Sequence, residues 1–217
     1  MTTESTTTRG TARVDWRRAE FLLTVFGFLG FITAAIRITT VYGGLPAHPL
    51  FIHVPVVLIP LSILGALACV YRPAWFGRYG ILLCAMAIVA MSSIFLAMQA
   101  GAALRRLLDV QGRAAQLISQ HSQAANVLAI VFIAFTAILI LTFAATRISG
   151  EMGPTGLTIV DRTLSARSTL LTLRVLLVVL ALAAAFWVFR VGDLGAKAVW
   201  QGRIQAAQAA QAAQARQ

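Results

Sequence analysis

Three histidines, His48, His53 and His121, are the residues of this chain best suited to hold a metal. A neutral imidazole binds zinc, copper or iron through one ring nitrogen, and two imidazoles on facing helices can be the axial ligands of haem b. His48 and His53 are five residues apart, about 140° around an ideal helix, so they do not form the zinc-binding face of histidines at i and i+4. We therefore predict that His53 approaches His121 from a different helix.

Two prolines favour a buried position for His53. Pro55 and Pro60 each remove an N–H from the helix that carries them, and a membrane helix tolerates this when neighbouring helices satisfy the freed carbonyls. His53 should thus face other helices. His48 precedes Pro49 in an uncharged loop that water can reach, so we expect it to be the more exposed of the two.

Further polar residues fall near the same ends of the apolar segments, namely Arg37, Gln99, Asn126, Arg190 and Asp193. An acid near a membrane edge is favoured beside a cation, so we expect Asp193 to pair with Arg37 or Arg190. The sequence has no Ser/His/Asp arrangement, nucleotide-binding loop or paired carboxylates, and no residue is assigned a catalytic role. The alternative to a ligand site is a structural cluster that caps helix ends and bonds backbone groups at the membrane edge.

The composition shows which kind of protein must carry these residues. The 217 residues are 59% hydrophobic and 12% charged, against roughly 45–50% and about 25% in soluble domains. The net charge of +11 comes from arginines placed between apolar blocks, which indicates membrane topology and not a nucleic-acid-binding face. Cys69 and Cys84 lie inside apolar blocks without the spacing of metal ligands, and we expect them to be buried.

Five apolar segments are long enough to cross about 30 Å of hydrocarbon as helices. The second, third and fourth contain no charged residue, whereas the first contains Arg37 and the fifth contains Arg174, both near segment ends. The sequence therefore predicts an all-α, polytopic transmembrane bundle of five spanning helices. The segments are residues 21–42, 50–71, 79–101, 124–146 and 169–189.

The first segment has a second interpretation, because Arg17 and Arg18 before an apolar run are also typical of a cleaved signal peptide. The length of the run and the poor cleavage site at residues 39–42 favour a retained helix. The short loop with Arg72 and Arg78 is predicted to be cytoplasmic, and the uncharged loop 43–49 extracytoplasmic. We thus expect a multi-pass protein of the cell membrane with a cytoplasmic N-terminus and an extracytoplasmic C-terminus.

The chain divides into four parts on this reading. Residues 1–20 form a polar N-terminal segment, 21–43 an additional transmembrane helix, 44–200 a four-helix core and 201–217 an Ala/Gln-rich tail. Glutamine recurs at every third position of the tail, which builds no apolar stripe on a helix of 3.6 residues per turn. We expect a solubilising tail that is either disordered or a frayed helix, and the alternative is a tail that binds a partner.

Several motifs follow one another as in a bacterial membrane-protein family. They are residues 44–53 around Gly44-Leu45-Pro46-Ala47-His48-Pro49, Arg78-Tyr79-Gly80, Gln99-Ala100-Gly101-Ala102-Ala103-Leu104, His121, and residues 190–200 from Arg190-Val191-Gly192-Asp193 to Trp200. Over about residues 44–200 the chain resembles the family labelled domain of unknown function 2231.

The resemblance implies a four-helix core with histidines at His48, His53 and His121. It also implies a fourth histidine where this chain has Asp193, a glutamate at Ala102 and an acid at Gln123, so the chain departs from the pattern at three positions. Related domains occur beside redox modules, which suggests a haem or electron-transfer role by analogy.

Two functions stay open at this point. The first is a redox or haem b-binding membrane module that uses His53 and His121. The second is a non-catalytic accessory subunit or a small-solute-handling protein. The partners expected are the lipid bilayer, with other membrane proteins or further copies of the chain, and no nucleic acid.

Overall fold

The computed structural model of the chain describes residue 27 and residues 41–42, 45–107, 110–150 and 166–216. A short antiparallel hairpin opens the continuous part, with β1 at Val41–Tyr42 and β2 at Leu45–Pro46. Val41 pairs with Pro46, and Tyr42 pairs with Leu45. The hairpin leads directly into the helices that form the rest of the described chain.

Five helices follow the hairpin. They are α1 at Ala47–Phe51, α2 at His53–Tyr71, α3 at Ala74–Leu107, α4 at Gly112–Gly150 and α5 at Arg167–Gln214.

The break between α1 and α2 is a single turn residue, Ile52. Pro55 has no N–H to donate to the carbonyl of Phe51, so the helical ladder loses one bond at this point. The chain continues in nearly the same course, because Ile52 N–H donates to the His48 carbonyl at 3.1 Å and Val56 N–H to the Ile52 carbonyl at 3.2 Å. Together, α1 and α2 form one apolar helical segment of 25 residues.

The four long helices form a bundle in which α2, α3, α4 and α5 each pack on the next, and α5 returns to α2. The connection α2–α3 is short, and Gly112 begins α4 with φ +65°, a left-handed conformation that favours glycine. The Phe132 and Phe135 rings stack with centres 5.2 Å apart. The largest buried side chains in the middle of the bundle are Ile59, Phe76, Phe132, Phe135, Leu139 and Leu177.

Four helices are long and apolar enough to cross a membrane, so the described part of the chain confirms four of the five predicted segments as helices. The buried positions of Cys69 and Cys84 are confirmed as well. The first predicted segment, residues 21–42, lies outside the described residues except for Gly27, which is helical, and the strand Val41–Tyr42. Because residues 41–42 form a strand, the predicted segment 21–42 is too long by at least two residues at its C-terminal end. The N-terminal segment 1–20 and Arg37 also lie outside the described residues.

Three of the predicted helices are shorter than the helices in the structure. Helix α3 runs to Leu107, α4 begins at Gly112 and α5 continues to Gln214. An apolar window finds only the part of a helix that matches the hydrocarbon layer, whereas Ala, Gln and Arg favour helix well beyond it. The Ala/Gln-rich tail is therefore an exposed helix, the second of the two alternatives expected for it.

Candidate histidine site at one end of the bundle

The first ring of the site is His48, which α1 carries at its second residue. Its neighbour Ala47 is 1% exposed, so this turn of the chain packs against the bundle. The His48 side chain is half-buried, and its Nδ1–H donates to the backbone carbonyl of Ala97 on α3 at 2.8 Å.

The second ring is His121, in the third turn of α4. It is also half-buried, and its Nδ1–H donates to the backbone carbonyl of Val191 on α5 at 2.9 Å. A carbonyl oxygen can only accept, so the hydrogen of each neutral ring lies on Nδ1 and the Nε2 lone pair remains available. The two histidines therefore present the same nitrogen for a ligand.

These two rings contact each other. Their centres are 6.2 Å apart and their planes are nearly perpendicular, at 86°. The contact joins α1 to α4, which come from opposite halves of the chain. We call the end of the bundle that carries His48 and His121 the histidine end.

His53 lies elsewhere, and the prediction that it is the buried histidine is wrong. It is exposed, and its Nδ1 is 3.4 Å from the carbonyl of Leu50 in its own turn. The physical reason is the angle of about 140° between positions five residues apart, which allows only one of the two histidines to face the bundle. The segment before Pro49 is helical, so His48 takes that position and partners His121 in place of His53.

Asp193 lies on α5 near the histidine end and has two cationic neighbours. Lys197 Nζ is 2.8 Å from Asp193 Oδ2, and Arg190 Nη1 is 3.8 Å from it. The predicted pairing with Arg190 is thus present, while Arg37 lies outside the described residues. Sequence analysis missed Lys197, although its i, i+4 spacing from Asp193 would have shown it once α5 was extended past residue 189.

The other polar residues of the predicted cluster take separate positions. Gln99 on α3 and Asn126 on α4 are both exposed. Two glycines lie against the rings instead: a Cβ on Gly101 would be 3.0 Å from His48 Nδ1, and a Cβ on Gly195 would be 3.2 Å from His121 Cε1. Neither glycine, nor the carbonyls of Ala97 and Val191, was selected from the sequence, because none has a side chain with chemistry.

The opposite end of the bundle carries aromatic and basic side chains. Trp75 and Tyr79 contact edge to face at 6.3 Å, Arg72 lies over Trp75 at 5.6 Å and Arg78 over Tyr79 at 5.4 Å. Aromatic and basic residues of this kind are enriched where a helix leaves the hydrocarbon layer. We call this the arginine end.

The length of the helices places the two ends about one membrane thickness apart. On α3, Ala97 follows Arg78 by 19 residues, about 28 Å at ~1.5 Å per residue, close to the ~30 Å of a hydrocarbon layer. If the arginine end marks one edge of the hydrocarbon layer, this length puts the rings bound to α3 and α5 near the other edge.

The donor set at the rings is limited. In the part of the chain that the structure describes, no group of three or more His, Cys, Asp or Glu side chains is placed to hold a metal. A surface depression of about 390 Å³ is lined by Arg113, Gln116, Leu117 and Gln120 of α4, and neither imidazole lines it. The chemistry available at the histidine end is thus that of two imidazoles.

Comparison with known proteins gives one match. A family model described as "Predicted membrane protein (DUF2231)" matches residues 44–208, which include β2, all of α1 to α4 and most of α5. This confirms the resemblance read from the motifs. No match to the chain was found among curated proteins or among solved structures.

Proposed function

The chain belongs to this family of predicted membrane proteins, and from the geometry of the histidine end we propose that it is a membrane-embedded redox module in which His48 and His121 would hold haem b. The observation that carries the proposal is the contact between the two rings. The ring centres are 6.2 Å apart, close enough for both imidazoles to bind one iron.

The hydrogen bonds of the two rings support the same assignment. A histidine that binds a metal through one nitrogen usually donates its other N–H to a carboxylate or a backbone carbonyl, which fixes the tautomer and orients the ring. His48 and His121 both do so, on Ala97 and Val191. Each ring is therefore held before any ligand arrives.

The number of ligands favours haem over a bare ion. A structural zinc site takes four protein ligands and a catalytic one three, and the described residues offer no such group around the rings. Haem supplies most of the ligands of its iron itself, so two imidazoles would be enough to hold it. Haem iron supplies one-electron transfer when bound. The residues of this chain would hold the group and set its position at the membrane edge.

Absorbance of the full-length protein, purified in detergent from cells supplied with haem, tests the proposal. We expect a Soret band that His48→Ala and His121→Ala each abolish. The matched control is His53→Ala, which removes an exposed imidazole and should leave the band unchanged. A wild-type protein without a Soret band contradicts the proposal, and metal analysis of the same sample then identifies any bound ion.

A second candidate function is a non-catalytic accessory subunit. It is favoured by the length of α5, whose last part, from Gly202 to Gln214, is exposed and continues beyond the end of its antiparallel partner α4 at Gly112. Such a helix offers a surface to another protein. An accessory subunit would purify without a Soret band and with a partner that is lost when residues 202–217 are removed.

The proposal includes the placement of the chain in the cell membrane. Five crossings, with the first in residues 21–42, would put the N-terminus in the cytoplasm and the histidine end on the extracytoplasmic side. The support is the charge pattern, with Arg72 and Arg78 in the short loop at the arginine end and no charge in residues 43–49.

A further inference from the structure

Two glycines repeat the same relationship to the two histidines. His48 is bound to the carbonyl of Ala97, and the residue facing its ring is Gly101, four positions later. His121 is bound to the carbonyl of Val191, and the residue facing its ring is Gly195, again four positions later. We infer that Gly101 and Gly195 are positioning residues that open a helix carbonyl to a histidine of another helix.

The geometry of the α-helix explains the spacing of four. The carbonyl of residue i accepts the N–H of residue i+4, and it keeps a second lone pair. The Cα–Cβ bond of residue i+4 leans back toward the N-terminus of the helix, so its side chain covers the turn that contains this carbonyl. A side chain from another helix can reach the second lone pair only where residue i+4 has no side chain to cover it. Glycine is the residue that has none.

The distances show that the space is taken by the rings. A Cβ on Gly101 would be 3.0 and 3.1 Å from two atoms of the His48 ring, and a Cβ on Gly195 would be 3.2 and 3.3 Å from two atoms of the His121 ring. All four values are tighter than ordinary carbon contacts of about 3.5–4.0 Å. Because Nδ1 of each ring is held by its hydrogen bond, a ring that withdraws from the added Cβ lengthens and weakens that bond.

Other glycines of α5 have no such neighbour. A Cβ on Gly192 or on Gly202 would meet nothing within 4 Å. These two positions separate the general effect of removing a helical glycine, which stabilises the helix, from the specific effect of covering the carbonyl. They are matched controls for Gly195 on the same helix.

The test is a double-mutant cycle on the full-length protein in detergent, read by thermal unfolding. We expect Gly195→Ala to lower the unfolding temperature, whereas Gly192→Ala and Gly202→Ala leave it equal or higher. In a His121→Ala background the ring is gone, so Gly195→Ala should become as harmless as Gly192→Ala. The same rescue is expected for Gly101→Ala in a His48→Ala background. If Gly195→Ala alone does not fold, recovery of folding in the double variant is the result to look for.

Nitrogen NMR of ¹⁵N-labelled histidine supplies a readout that a purely structural glycine would not change. Gly195→Ala should shift the His121 signals away from the Nδ1–H tautomer and leave those of His48 and His53 in place. The inference is overturned if the alanine variants keep both rings in the wild-type tautomer, or if removing the ring fails to rescue them. It does not depend on haem, since apoprotein serves for both measurements, so its failure and that of the proposed function are separable.

Discussion

The guanidinium of Arg147 on α4 donates to the backbone carbonyl of Gly77 on α3, with Nη1 and the oxygen 3.4 Å apart. The Arg147 residue is 4% exposed, and its guanidinium also lies over the ring of Phe143 at 5.8 Å. A charged group so placed joins two neighbouring helices at the arginine end, where its removal leaves a half-buried carbonyl with one bond fewer.

We therefore expect Arg147→Met to destabilise the bundle by about 1.5–3 kcal/mol, the usual range for a hydrogen bond to a charged group. Thermal unfolding in detergent measures the loss. Arg78→Met removes an exposed arginine at the same end of the bundle and is the control. Equal unfolding temperatures for the two variants would show that the Arg147 contact contributes nothing.

The contact between Gly80 and Phe143 should be the least tolerant of added volume. A Cβ on Gly80 would overlap the Phe143 ring, and Gly80 is buried. Gly80→Ala is expected to cost about 1–3 kcal/mol through overpacking, although alanine is the better helix former. Combining it with Phe143→Leu should restore part of the loss, and an equal cost in both backgrounds would contradict the assigned contact.

Asp193 should contribute little to stability. Its two cations are partly exposed, and exposed ion pairs typically stabilise by 0–1 kcal/mol. A double-mutant cycle should give a larger coupling for Asp193→Asn with Lys197→Met than with Arg190→Met, because the Lys197 distance is shorter. The coupling should also decrease at high salt. A cycle of Asp193→Asn with Arg37→Gln tests the remaining predicted pair, and additive losses would reject it.

Reporter fusions at Met1 and at Gln217 test the topology. Five crossings place the two termini on opposite sides of the membrane, with the N-terminal reporter in the cytoplasm. Two reporters in the same compartment would leave an even number of crossings, and a fusion after residue 46 would then show whether residues 21–42 are cleaved or do not span.

The fold was predictable to the extent that it follows from apolar length. Four segments with the length of a hydrocarbon layer are helices, because in that layer a backbone must satisfy its own hydrogen bonds. The helix ends were not predictable in the same way, since Gly112 and Gln214 lie in polar sequence, where apolar length gives no signal and helix propensity decides. The prediction of His121 as a site residue agrees with its ring contact.

The choice of His53 over His48 failed for a specific reason. The angle between the two positions was known, but the sequence did not show which of them faces the bundle. That depends on the short helix Ala47–Phe51, which begins before His48, whereas the sequence predicts His48 in the loop that precedes the helix. The backbone partners Ala97 and Val191 could not be selected at all, because a main-chain carbonyl carries no residue signature.

Each imidazole is hydrogen-bonded to the helix that follows its own in the chain. His48 precedes α2 and is bound to α3, whereas His121 lies on α4 and is bound to α5. The distance between the rings therefore depends on the position of the α2–α3 pair of helices relative to the α4–α5 pair. A ligand that binds between the imidazoles, or pushes them apart, would act on the packing between these two pairs of helices and not on two side chains alone.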